Sequence, residues 1–169
     1  MGCGKSTIGA ILANVLGWDF MDLDKAIEVR AGQSIPELFA QYGEAHFRVL
    51  ESEALRATGN RKNLIVALGG GALVQPKNLQ WALENALVIY VELGVDALVA
   101  RLKHATTRPL LLDDAGNVVH EDELRARISR MLDGRRAFYE QAHLRLRMDG
   151  RSVGESVDLV AKSVRNAIQ

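Results

Sequence analysis

The chain has 169 residues, 48% of them hydrophobic, and its 21 Lys and Arg residues balance 21 Asp and Glu residues. This length supports one well-formed core and is short for two, so residues 1–169 are expected to form a single domain. A net charge of zero gives no reason to expect nucleic acid or an anionic membrane as a partner, and the single Cys excludes an internal disulfide. The expected setting is the cytoplasm.

A phosphate-binding loop is indicated at the start of the chain, followed by a helix from about Lys5 to Leu16 that Gly17 closes. In such a loop, backbone N–H groups surround the phosphates, the lysine reaches the outer phosphates and the hydroxyl binds Mg²⁺. The positive end of the following helix would face the same phosphates. The candidate nucleotide-binding residues are Gly2, Cys3, Gly4, Lys5, Ser6 and Thr7, with Ser6 as a metal ligand.

Two acidic residues follow the first predicted strand, which covers about Trp18 to Met21. Asp22 and Asp24 come at its carboxyl end, where open α/β sheets collect their ligands. Their position after a phosphate-binding loop favours a place in the nucleotide site. The alternative is that Asp24 only caps the next helix, which begins at about Lys25.

The next segment predicts a broken helix. A capping box at Ser34–Glu37 begins it, Gly43 interrupts it, and apolar residues at helical spacing resume from Phe47. Arg48 and Glu51 are three residues apart on the second half and can pair on its neighbouring face. A pair of this kind is usually exposed and contributes little to stability.

A run of three glycines follows a buried strand. Residues Leu64–Leu68 are apolar throughout, as in a parallel strand that is covered on both faces. Gly69, Gly70 and Gly71 then allow a ligand to approach the backbone more closely than a side chain would permit. A loose turn is the alternative reading of these glycines.

Strands and helices continue to alternate in the second half. Pro76 opens a helix, an apolar strand covers about residues 87–91, and a further helix covers about 95–102. This order predicts an α/β fold with a parallel sheet flanked by helices on both faces. The polar segment over about 104–120 has no regular period and is predicted to be a lid that brings Arg108 to the site when it closes.

The helix predicted over about 121–142 places an arginine among its apolar residues. Arg135 falls on the stripe formed by Leu124, Ile128, Met131, Phe138 and Ala142. A buried arginine is costly unless it meets an anion, so Arg135 is a candidate for binding a ligand carboxylate or phosphate, and an internal salt bridge is the alternative. A strand over about 144–148, the fourth predicted, and a final helix capped by Ser152 and Glu155 complete the chain.

Several segments together match the motifs of one family. They are Met1–Thr7, Asp22–Asp24, Ser34–Phe39, Gly43–Arg48, Gly69–Gly71, Arg108–Leu111 and the Arg-x-x-x-Tyr pattern at 135–139. In this order, over nearly the whole chain, they strongly resemble shikimate kinase. The resemblance implies a P-loop kinase fold of the nucleoside-monophosphate-kinase type and ATP-dependent phosphorylation of shikimate to 3-phosphoshikimate. ATP and Mg²⁺ would be the cofactors, and a monomer is expected.

The resemblance implies a role for each residue near the nucleotide. Lys5 would hold the outer phosphates, Ser6 would bind Mg²⁺ and Asp22 would support the metal through water. The other implied contacts are Arg108, near the transferred phosphate, and Arg101 and Arg151, near the adenine. Lys5 and Arg108 would therefore take part in catalysis.

The resemblance also implies the contacts with the substrate. Asp24 is similar to the family's acidic residue on the substrate hydroxyls, placed to orient or deprotonate the attacking one. Arg48 and Arg135 resemble the pair that grips the shikimate carboxylate, and the backbone of Gly69–Gly71 would lie along the substrate. Because a planar guanidinium binds a carboxylate at two points, arginine rather than lysine is expected at both positions.

One part of the family pattern is missing, because the first glycine of the loop and the strand before it would precede Met1. That strand is central in the family's sheet, so its absence would leave unpaired backbone groups on two strands and a gap in the core. We expect that the start of the chain was assigned too late. Two other functions stay open: a related kinase for another hydroxy acid, such as gluconate, and a nucleotide binder without turnover.

Overall fold

The computed structural model describes residues 2–102 and 119–168. Within these ranges, helices alternate with short strands. The elements are α1 (Lys5–Leu16), β1 (Asp19–Asp22), α2 (Leu23–Ala31), α3 (Ile35–Arg56), β2 (Leu64–Ala67), a short 3₁₀ helix (Ala72–Val74), α4 (Pro76–Asn85), β3 (Ile89–Glu92), α5 (Val95–Leu102), α6 (Glu121–Tyr139), β4 (Leu144–Arg147) and α7 (Val153–Ala167). No helix in the described part of the chain is both long and apolar enough to cross a membrane.

The four strands form two parallel pairs. β1 pairs with β2 in a register that places Asp22 opposite Ala67, and β3 pairs with β4 with Glu92 opposite Arg147. Parallel pairing of strands joined by helices is the arrangement that the alternating sequence pattern predicts. It also brings the end of β1, where Asp22 lies, beside the end of β2, which leads into the glycine triplet Gly69–Gly71.

A cavity of about 470 Å³ lies between the two sheets. All of β2 and residues Ile89–Val91 of β3 line it, and α1 contributes Ile8, Gly9 and Leu12. Among the described residues, β2 and β3 each have a strand partner on one side alone. The predicted gap in the core and the two strands with unpaired edges are therefore confirmed.

Helices cover both faces of the sheets, as predicted. One apolar cluster joins α1, α5, α6 and α7, and a second joins α2 and α3. Neighbouring residues of β2 point to opposite clusters, since Ile65 packs against the first and Val66 against the second. The strand is thus covered on both sides, which explains its continuous apolar sequence.

The start of α2 shows which of the two acidic residues at the end of β1 caps that helix. Asp22, not Asp24, caps α2, because the Asp22 carboxylate accepts the backbone N–H of Lys25 at 3.3 Å. The alternative reading of Asp24 as the cap is therefore wrong, and its carboxylate is available for another role.

The predicted break in α3 is confirmed at Gly43, whose φ of 77° and ψ of 173° interrupt the helix. The second half of α3 therefore starts in a new direction and carries Arg48.

Candidate active site

The loop at the start of α1 leaves backbone donors open. Gly4 is the N-cap of α1 in a left-handed conformation (φ 83°), and no side chain of the described residues caps the helix. The first turn of α1 also lacks an acidic residue that would neutralise its positive end. The Lys5 ammonium donates to the buried Cys3 thiol at 3.4 Å, while Ser6 and Thr7 are exposed. This loop can therefore accept an anion.

Of the three arginines predicted near the nucleotide, the structure places Arg101 beside the loop. Its guanidinium donates to the Cys3 carbonyl oxygen at 3.4 Å, and a methyl group added at Gly4 would lie 3.7 Å from it. Arg151 is exposed, and no hydrogen bond or salt bridge among the described residues joins its side chain to the loop. Arg108, with residues 104–118 of the predicted lid, lies outside the described residues.

A hydroxyl and a carboxylate meet where a magnesium ion is predicted. The Ser6 hydroxyl donates to Asp22 Oδ2 at 2.5 Å, so two oxygen donors of the kind that Mg²⁺ prefers lie together. In residues 2–102 and 119–168 no group of three or more His, Cys, Asp or Glu side chains could hold a metal. Mg²⁺ commonly takes one or two protein oxygens, with phosphates and waters as further ligands, so these residues fit it.

The carboxylate of Asp24 lies between the loop and the glycine triplet. A methyl group added at Gly69 would lie 2.9 Å from Asp24 Oδ1, so the carboxylate packs directly against the bare backbone. Burial and then the charge of Asp22 raise the pKa of Asp24, while the Lys5 ammonium opposes this rise. A carboxylate with a raised pKa is a better proton acceptor, which suits the position predicted for a general base.

Arg48 is held by two glutamates against the glycine triplet. It donates to Glu51 at 2.8 Å and to Glu44 at 2.8 and 3.1 Å, and a methyl group at Gly71 would lie 2.7 Å from its Nη1. Glu51 is 1% exposed, so the pair that sequence reasoning took for an exposed one is buried at its acidic end. Burial raises the pKa of Glu51, and Arg48 opposes this rise. Sequence reasoning missed Glu51 because an i, i+3 spacing does not report burial.

Tyr139 connects α6 to the middle of the triplet. Its hydroxyl donates to the Gly70 carbonyl oxygen at 2.6 Å. Arg135 lies one turn earlier on α6, is half-buried and has no salt-bridge partner within residues 2–102 and 119–168. The salt bridge proposed as the alternative role of Arg135 is thus not found in the described part of the chain. Tyr139 was visible in the Arg-x-x-x-Tyr pattern, but its contact was not predictable from it.

These contacts define one continuous site with two ends. We call Gly2–Thr7 and Asp22 the loop end, and Asp24, Arg48, Glu51 and Gly69–Gly71 the arginine end. The charges of Lys5 and Asp22 at one end act on Asp24 at the other, so the two ends are close in space. A ligand that spans them would place an anionic group on the loop and a second anionic group near Arg48, with the carboxylate of Asp24 between.

The fold is that of a P-loop kinase, as the comparison with solved structures shows. A shikimate kinase from Bacteroides thetaiotaomicron has a TM-score of 0.87 at 31% identity, covering 98% of this chain and 94% of its own. A shikimate kinase from Acinetobacter baumannii, solved in complex with shikimate, has a TM-score of 0.86 at 28% identity, covering 99% and 89%. A gluconokinase from Sinorhizobium meliloti has a TM-score of 0.51 at 14% identity, with coverage of 100% and 93%, and shares the fold alone.

The sequence comparisons narrow the class to one family. The family model of shikimate kinase matches residues 1–165. A shikimate kinase from Salinibacter ruber is 49% identical over 165 residues, which cover 97% of this chain and 80% of that protein. The chain belongs to the shikimate kinase family.

Proposed function

We propose that the protein transfers the γ-phosphoryl group of ATP to one hydroxyl of shikimate and releases ADP and 3-phosphoshikimate. The hydroxyl oxygen forms a bond to the γ-phosphorus while the bond from that phosphorus to the ADP oxygen breaks. The observation that carries the proposal is the continuous site in which Asp24 lies between the phosphate-binding loop and the Arg48 guanidinium. The balanced charge gives no reason to expect nucleic acid or a membrane as a partner, and a monomer in the cytoplasm stays a prediction.

The loop end would hold the nucleotide. The N–H groups of α1's first turn and the Lys5 ammonium are positive groups without an acidic neighbour in that turn. Ser6 and Asp22 would hold Mg²⁺, which when bound neutralises charge on the phosphates. Arg101, whose guanidinium donates to the Cys3 carbonyl oxygen, would contact the nucleotide beyond the loop. Arg108, Arg151 and a lid over about 104–120 stay predictions from the resemblance.

The arginine end would hold shikimate. The guanidinium groups of Arg48 and Arg135 would bind its carboxylate, and the bare backbone of Gly69–Gly71 would allow its ring to approach closely. Asp24 would align the attacking hydroxyl and accept its proton, since its raised pKa favours proton uptake. Positioning both reactants in this way is the main contribution that a protein makes to phosphoryl transfer.

The test is a coupled ADP-release assay with ATP, Mg²⁺ and either shikimate or gluconate, with the product identified by mass spectrometry. Turnover is expected with shikimate and not with gluconate. Turnover with gluconate alone would support the related hydroxy-acid kinase. Nucleotide binding with no turnover on either substrate would support the nucleotide binder instead.

A matched pair of variants tests the carboxylate contact. Arg135→Ala should raise the KM for shikimate about tenfold or more and leave the KM for ATP nearly unchanged, because a charged hydrogen bond to the substrate is lost. The control is Arg136→Ala, whose side chain is exposed and pairs with Asp133 at 3.0 Å. Equal increases in both KM values for Arg135→Ala would contradict the assignment.

A further inference from the structure

The hydroxyl of Tyr139 makes a contact that the proposed reaction does not explain. It lies 2.6 Å from the Gly70 carbonyl oxygen, across 69 residues of sequence, and the contact is partly buried. The Tyr139 ring also packs on the Tyr90 ring of β3, with centroids 4.9 Å apart and planes tilted by 31°. The packing against Tyr90 restricts the ring, so the hydroxyl is held at one place rather than sampling several.

The acceptor of this hydrogen bond is the middle of the glycine triplet. On either side of Gly70, the backbone packs against groups of the arginine end: Gly69 against the Asp24 carboxylate and Gly71 against the Arg48 guanidinium. Glycine backbone has the widest choice of conformations of any residue, so the shape of the triplet depends on the hydrogen bonds that its carbonyl groups accept. The Gly69 and Gly71 carbonyl oxygens accept the backbone N–H groups of Ala72 and Val74 at 3.2 and 3.1 Å, whereas the Gly70 carbonyl oxygen accepts from Tyr139. In the described part of the chain, Tyr139 supplies the one side-chain hydrogen bond to this triplet.

Fixing the Gly70 carbonyl also fixes the next N–H group. The peptide between Gly70 and Gly71 is planar and trans, so its C=O and N–H point in opposite directions. The Gly71 N–H has no acceptor within residues 2–102 and 119–168 and therefore stays available to a ligand. A carbonyl drawn towards Tyr139 directs this N–H to the opposite side of the triplet.

We propose that Tyr139 is a positioning residue for shikimate: its hydroxyl fixes the Gly70–Gly71 peptide so that the triplet presents one shape to the substrate. This inference rests on the proposed function. The same contact ties the end of α6, with Arg135 one turn away, to the triplet beside Arg48.

The experiment compares Tyr139→Phe with Tyr90→Phe and wild type. Tyr139→Phe keeps the ring packing and removes the donor, and we expect the KM for shikimate to rise about fivefold, within the range of one lost hydrogen bond. The KM for ATP and kcat should stay within about twofold, since no phosphate contact changes. The Tyr90 hydroxyl has no hydrogen-bond partner in the described ranges, so Tyr90→Phe should leave both KM values unchanged.

Two further measurements separate positioning from simple loss of stability. Saturating shikimate should raise the melting temperature of Tyr139→Phe less than that of wild type, whereas ATP should raise both equally. Replacing Tyr139 with 4-aminophenylalanine, which keeps a ring and a donor, should restore the low KM. Unchanged or equally raised KM values, or a Tyr139→Phe protein too unstable to assay, would overturn the proposal. Wild-type protein without turnover on shikimate would instead refute the proposed function.

Discussion

At the loop end all the contacting groups except Asp22 come from six consecutive residues, Gly2–Thr7, whereas at the arginine end they come from three separate segments, which carry Asp24, Arg48 and Gly69–Gly71. The loop end is formed by local backbone conformation and leaves Ser6 and Thr7 exposed. The arginine end depends on a charge pair whose acidic member is buried. Substitutions at the loop end should therefore reduce turnover with little effect on folding, and substitutions at the arginine end should affect both.

The largest effect is expected for Lys5→Met. Removing a positive group aimed at the charge of the transition state costs on the order of a hundredfold or more in kcat. Among the described residues, the Lys5 ammonium has one hydrogen bond, to Cys3, so the melting temperature should change little. The measurement is ADP release at saturating ATP and shikimate, with Lys25→Met as the control at an exposed position. A large loss of stability in Lys5→Met would contradict the expectation that substitutions at the loop end have little effect on folding.

Glu51→Ala tests the stability side of the contrast. Removing one partner of a buried ion pair leaves the other uncompensated, so the free energy of unfolding should fall by about 3 kcal/mol. Glu53→Ala, on the same helix, removes an exposed glutamate that pairs with Arg30 and should cost less than about 1 kcal/mol. Urea unfolding measures the free energy of unfolding of both variants. Equal losses of stability in the two variants would show that burial of Glu51 does not increase the contribution of its ion pair.

Gly71→Ala tests whether the arginine end depends on a bare backbone. The added methyl group would lie 2.7 Å from Arg48 Nη1, so the guanidinium has to move. We expect the KM for shikimate to rise about tenfold, which corresponds to about 1.4 kcal/mol, without a matching change for ATP. Gly134→Ala is the control, since a methyl group there meets no atom within 4 Å. An unchanged KM for shikimate would remove Gly71 from the site.

The smallest effect expected is a pH dependence in Arg48→Met. In wild type, burial raises the pKa of Glu51 and Arg48 opposes this rise, so the variant should raise the pKa further. A carboxyl group whose pKa is raised in the folded state loses stability as pH rises from its unfolded towards its folded pKa. The stability deficit of Arg48→Met relative to wild type should thus be larger at pH 7 than at pH 5, by about 1 kcal/mol. Arg30→Met, at an exposed pair, should show no such difference.

The contrast between the ends also decides what the sequence could predict. The loop, the acidic residues at the end of β1 and the glycines after β2 were predictable because each depends on a short run of neighbouring residues. The four strands and the break at Gly43 were predictable for the same local reason. Burial of Glu51 and the bond from Tyr139 to Gly70 were not, because both depend on how distant segments meet.

The buried Cys3 thiol has a practical consequence. It is the single thiol of the chain, and it lies within the phosphate-binding loop, 3.4 Å from the Lys5 ammonium. A thiol-specific alkylating reagent can therefore modify the chain at one position, Cys3. The rate of this modification reports how accessible the loop is to the reagent. A nucleotide that fills the loop should slow the labelling, so the chain carries a built-in reporter of occupancy that needs no engineered tag.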